Sequence, residues 1–185
     1  MSLRSLTSVF TLLCLFGAFA LPAYAQQRKR VSPHETIGMV VDGSRVTITY
    51  GRPYSKDPKS GDAREIWGSL VPYGKVWRAG ADEATLLITQ KPLLMGGVTI
   101  PAGAYSLFFQ PEANDSAKLV VNKQIGHWGT QYDATQDLAR VDAMKEPLSL
   151  PVDQFLIALD KKDGGGVIKL SWAATQYSIP FTVQK

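Results

Sequence analysis

Two histidines, two adjacent carboxylates and a run of rings and cations are the residues of this chain with types and spacing suited to chemistry. Arg52, Tyr54, Trp67, Tyr73, Lys75, Trp77 and Arg78 fall in one stretch, with Asp82 and Glu83 just beyond it. Flat rings beside hydrogen-bonding cations stack on sugar rings, or clamp a carboxylate or phosphate. His127, Trp128 and Tyr132 offer a second wall. The candidate ligand-binding residues are therefore Arg52, Tyr54, Trp67, Tyr73, Lys75, Trp77, Arg78, Glu83, His127 and Trp128. A structural explanation competes: tryptophan next to glycine, as in Trp67-Gly68 and Trp128-Gly129, is equally expected where a large ring plugs a core at a turn.

Catalytic patterns are thin. There is no G-x-S-x-G elbow, and a Ser32-Pro33-His34 run on an extended segment does not make a triad. Asp82 and Glu83 are adjacent, so on a strand they face opposite sides. Glycoside hydrolysis would then need a second acid such as Asp62, Glu65 or Asp133. The structural alternative pairs Asp82 or Glu83 with Arg78 as an ion pair. H-E-x-x-H is absent, and a mixed metal site would require the fold to join His34 and Glu35 with His127 and Asp133. No metal, cofactor or catalytic residue is assigned. A hydrolase remains the alternative, built from Arg78, Asp82 or Glu83, and His34 or His127; it requires those groups to converge on one cavity.

The elements that must hold these residues read as strands. Val46, Ile48 and Tyr50 alternate with threonines; Ile168, Leu170 and Trp172 alternate with Lys169 and Ser171; Tyr177, Ile179, Phe181 and Val183 continue the pattern. Leu119–Val121 and Phe155–Leu159 are evenly apolar, as in strands covered on both faces. Pro180 lacks an amide donor, which predicts an edge strand or a bulge there. Asp42-Gly43, Gly96-Gly97, Pro101-Ala102-Gly103 and Asp163-Gly164-Gly165-Gly166 supply the turns. Asp133 with Gln136 starts one short helical turn toward Arg140. Eight or nine short strands with little helix predict a single all-β domain over 35–185, an antiparallel β-sandwich of jelly-roll-like kind. One long ordered loop, Gly51 to Asp82, interrupts it.

Met1–Ala25 has the parts of a signal peptide: Arg4, the apolar stretch Val9–Leu21, and the small residues Ala23 and Ala25 around a cleavage point. Removing it from 185 residues leaves 160, beginning at Gln26 with a flexible segment over 26–34. Export is expected, to the periplasm or the medium, with no transmembrane segment after cleavage. Cys14 is the single cysteine, so the mature chain has neither disulfide nor thiolate chemistry. The formal charge of +4 is too small an excess to argue for a nucleic-acid partner, and Arg28-Lys29-Arg30 reads as a short solvated tail.

The run Leu70-Val71-Pro72-Tyr73-Gly74-Lys75-Val76-Trp77-Arg78-Ala79-Gly80-Ala81-Asp82-Glu83-Ala84-Thr85 resembles the signature of a bacterial exported family, domain of unknown function 2911. Ser32-Pro33-His34, Tyr50-Gly51-Arg52-Pro53, Pro101 to Leu107, Asn122-Lys123, Trp128 to Asp133, and Leu170-Ser171-Trp172 through Pro180-Phe181 match in the same order. The resemblance implies an exported, β-rich protein and assigns no activity or ligand. Lys56 to Ala63 departs from the pattern as an inserted surface loop. The sequence thus favours a non-enzymatic ligand-binding module, a glycan being one candidate ligand, over the hydrolase. An envelope scaffold or accessory protein is the third reading.

Overall fold

The computed structural model describes residues 30–185; the expected signal peptide, Gln26 and the Arg28-Lys29 pair lie outside the described residues. The domain is all β, in two antiparallel sheets. The first runs in the order β1 (His34–Val41), β2 (Ser44–Gly51), β3 (Thr85–Thr89), β6 (Gly103–Pro111), β7 (Ala117–Asn122), β8 (Asp137–Asp142). The second has β5 (Val98–Ile100), β4 (Leu93–Met95), β10 (Gly165–Val183) and β9 (Met144–Lys162). β1 opens at His34, inside the segment expected to be flexible. Among the described residues, no helix is long and apolar enough to cross a membrane.

Local sequence accounts for most of this. Val46, Ile48 and Tyr50 are buried on β2 between less buried neighbours, as period-two alternation requires. Asp42 (φ 48°) and Gly43 (φ 68°) both take the left-handed conformation of a two-residue hairpin turn joining β1 to β2. Leu119, Val120 and Val121 are all buried: Leu119 and Val121 face the other sheet, while Val120 lies on the far face. On that face Phe108 stacks against His127 (centroids 6.0 Å apart) and meets Tyr132 at a tilt (4.8 Å). Phe155–Leu159 is not evenly buried: Phe155 and Ile157 are inside, while Leu156, Ala158 and Leu159 are half-buried.

Three expectations are corrected. The short helical turn is a 3-10 turn over Ala134–Gln136, capped by Asp133 accepting from the Thr135 amide (2.9 Å), and Arg140 already belongs to β8. The last strand is not an edge. β10 lies between β4 and β9, and Pro180 falls between the β9-paired stretch ending at Ser178 and the β4-paired stretch beginning at Phe181, where no partner asks for its amide. Third, β9 and β10 are 19 residues each rather than short. Register shifts either side of Ala173, which has φ 51°, turn this hairpin through a corner. Its ends then close on each other, Val183 donating to the Gly164 carbonyl at 2.8 Å.

β9 is the free edge of the second sheet, and an unpaired edge is a template for aggregation. Here the chain leaving β2 covers it. The Tyr50 hydroxyl accepts from the Ile157 amide (3.0 Å), Pro53 O accepts from the Phe155 amide (2.9 Å), and Arg52 Nε donates to Phe155 O (3.2 Å). Tyr50 spends its own proton on Glu35 (2.8 Å), and burial pushes its phenol far above the usual range. A buried amide left without its acceptor costs about 1–3 kcal/mol. Tyr50→Phe is therefore expected to lower stability by about that amount in urea denaturation; an unchanged midpoint would show that the hydroxyl does not join the sheets.

Candidate functional site

The long connection runs from Arg52 to Ala84 without a named strand or helix, yet it is fixed along its length. Tyr54 bridges Gln154 of β9; Lys56 bridges Ala63, with the Asp57 carboxylate accepting from the Lys59 amide (2.8 Å); Trp67 bridges Val71. Trp77 then pairs with Phe109 through two 2.7 Å hydrogen bonds, filling the edge of β6 beyond the last residue that β3 reaches. Ile66 and Val71 are buried, and Trp67 meets Trp77, Trp172 and Tyr177 edge-on at 5.2–6.5 Å. Part of the segment is therefore a plug, as the structural explanation required.

The return leg, Arg78 to Glu83, passes hard against the end of β2. A β-carbon on Gly51 would stand 2.3 Å from the Ala81 carbonyl oxygen, so only glycine lets the two chains cross. Ala79 (φ 47°) and Asp82 (φ 64°) take left-handed conformations, and Thr85 Oγ1 secures the turn by donating to Ala79 O (2.7 Å). The adjacent carboxylates line different cavities, although both come within 3.9 Å of His34 Nε2.

The first cavity has a volume of about 350 Å³. Trp77, Trp172, Tyr54 and Leu70 supply its apolar wall; Arg64, Arg78 and Asp82 supply its charges. Trp77 stacks on Trp172 at 5.6 Å with planes 19° apart, which fixes that wall. Arg78 is seated by Trp128-Gly129: a β-carbon on Gly129 would lie 2.2 Å from Arg78 Cδ. Arg64 is anchored by one terminal nitrogen donating to the Tyr54 carbonyl. Four polar atoms on these residues are buried and have no hydrogen-bond partner among the described residues: Arg64 Nε, Arg78 Nε, Trp172 Nε1 and Asp82 Oδ2. Native interiors leave few such groups, and a cluster on one cavity calls for a ligand or water to complete it.

The second cavity, about 280 Å³, lies across the partition and is lined by Arg30, His34, Tyr50, Glu83, Leu86 and His127. Glu83 accepts from Arg30 and faces His34 Nε2 at 3.1 Å; the same nitrogen is 3.9 Å from Asp82. Partial burial acts to raise the Glu83 carboxyl, but its own backbone amide, the Arg30 charge and His34 outweigh this and hold it below the ordinary range. His127 stacks on Phe108, and neither ring nitrogen has a partner among the described residues.

The ten expected site residues therefore divide. Tyr54, Trp77 and Arg78 meet at the first cavity; Glu83 and His127 meet at the second. Arg52 secures the β9 edge and pairs with Glu35 (3.3 Å), Trp67 lies in the aromatic plug, Tyr73 lies over Gly68, and Lys75 and Trp128 are exposed. No ion pair joins Arg78 to Asp82 or Glu83 among the described residues; Arg30 and His34 take Glu83 instead. Arg30 is thus paired with the domain while its side chain stays exposed. The mixed metal set is scattered: His34 faces Glu83, Glu35 receives Tyr50 and Arg52, and Asp133 caps the 3-10 turn. Sequence reasoning missed Arg64 and Trp172 as cavity residues, because nothing local links a loop arginine to a strand tryptophan.

The family model described as Protein of unknown function (DUF2911) matches residues 32–181, and the chain belongs to that family. No curated protein and no solved structure matches it.

Glu83 gives a test of the partition. A carboxyl held lower in the fold than its ordinary 4.5 stabilises the fold above that pH, and the contribution fades as pH falls through the folded value. Glu83→Gln should therefore lower the urea midpoint near pH ~6, and the difference should shrink as pH falls below 4.5 and through the folded value. A difference constant across that range would contradict the Arg30–Glu83–His34 linkage.

Proposed function

We propose that this is an exported, non-enzymatic binding protein whose ligand is a small polar organic molecule held in the cavity between Arg64, Arg78, Asp82 and the Trp77–Trp172 wall. One observation carries the reading: the buried, unpartnered atoms of Arg64, Arg78, Asp82 and Trp172 all belong to residues lining one cavity. Its volume, about 350 Å³, lies in the range of small-molecule sites, and its lining joins apolar walls to a few convergent polar groups, as such sites do. Trp172 is 1% exposed, so its indole N–H is lost to bulk water without a protein acceptor in exchange. Export rests on the Met1–Ala25 reading.

The binding reading is favoured over the hydrolase because the groups the hydrolase needs are split. Arg78 and Asp82 line one cavity, whereas His34, Glu83 and His127 line the other. His34 has Arg30 and Glu83 as its hydrogen-bond partners and no hydroxyl nucleophile among them.

A screen of small polar fragments by nitrogen–proton correlation NMR tests the reading, since the indole N–H signals separate the walls. Binding fragments are expected to shift the Trp172 and Trp77 signals and to leave Trp128 in place; Arg78→Gln should weaken those hits. Fragments that move only Trp128, or a screen without a hit at Trp172, would overturn it.

A further inference from the structure

The unpartnered groups of the first cavity are not balanced. Arg64 Nε, Arg78 Nε and Trp172 Nε1 are donors, and the single acceptor without a hydrogen bond, Asp82 Oδ2, stands 3.9 Å from His34 Nε2. Two of the donors sit on guanidinium groups, which stay charged at any pH a protein meets. Two cations against one carboxylate leave this lining positive, so the complementary ligand is an anion that also carries a hydroxyl for Asp82. Planar guanidinium donors suit a carboxylate, whose two oxygens each accept.

Size and surface narrow the class. An inorganic anion would occupy a small part of about 350 Å³ and would leave Trp77, Tyr54, Leu70 and Pro53 facing nothing apolar. A ring with a C–H face and several hydroxyls uses both parts of the lining: the face against the aromatic wall, and a hydroxyl donating to Asp82. On the binding reading above, we infer that the cavity between Arg64, Arg78 and Trp172 is a site for an acidic monosaccharide, its carboxylate on the two arginines, its ring face on the aromatic wall and a hydroxyl on Asp82.

Titration calorimetry of the purified chain with D-galacturonate, D-galactose, acetate and inorganic phosphate tests this. Galacturonate should bind about tenfold or more tightly than galactose, the worth of a charge-assisted hydrogen bond. Acetate and phosphate should be weaker than galacturonate. Arg64→Gln and Arg78→Gln should each erase the preference for the acid, while Asp82→Asn weakens acid and neutral sugar together. Arg78 also packs on Gly129, so Arg64→Gln, at an arginine less enclosed, keeps the test valid if Arg78→Gln does not fold. Equal binding of galactose and galacturonate overturns the acid and leaves the cavity reading intact. Phosphate or acetate binding as tightly as galacturonate overturns the sugar. Silence from all four overturns the inference, and hits at Trp172 in the fragment screen would then show that the cavity binds something else.

Discussion

The covered edge of β9 is the constraint on which the site depends. Tyr50, Arg52 and Pro53 bind the backbone of Phe155 and Ile157, so the chain leaving one sheet is tied to the edge of the other as the long connection begins. That fastening covers the Phe155–Ile157 part of an edge which would otherwise invite another chain. It also fixes where Pro53 and Tyr54 stand, and they are one wall of the larger cavity. The return leg is fastened separately, by Trp77 on Phe109 and by the crossing at Gly51. The cavity is the space left between two anchored legs of one connection, closed on the inside by Trp172.

Such a space has an energetic signature. Packing could have closed it, and burying unpaired donors is costly, so four unpartnered atoms on a single lining run against the general rule that buried polar groups are matched. Proteins accept such local costs at functional sites and offset them elsewhere. Here the offset is visible in the aromatic plug, where Trp67, Trp77, Phe109, Phe155, Trp172 and Tyr177 meet with ring centroids 4.7–6.5 Å apart. The left-handed turn at Asp82 then divides the charges, giving each cavity one carboxylate.

Strands were legible in the sequence where side chains alternate, because half-burial on a sheet imposes period two; β2 follows it, whereas on β10 Ser171 and Ser178 are buried between the core residues and only the residue types alternate. Turns were legible where residues tolerating positive φ stand between apolar runs, as at Asp42-Gly43. Less visible was pairing order. Pro180 looks like an edge residue from its missing amide, and only the registers reveal that it falls between two partners. The same holds for the site. Tyr54, Trp77 and Arg78 could be picked out because rings and cations cluster in one segment, but Arg52 is of the same types and serves β9 instead. Arg64 and Trp172 meet only through the fold, since they lie far apart in sequence and neither carries a local mark of a site.

A high-resolution crystal structure of the protein purified from the compartment in which it accumulates tests the central claim most directly. That structure should show a non-protein group larger than water in the first cavity, within hydrogen-bond distance of at least two of the Arg64, Arg78 and Asp82 side chains. Arg78 folded onto Asp82, with Trp172 packed against them and no room between, would contradict it and make the family signature a folding motif.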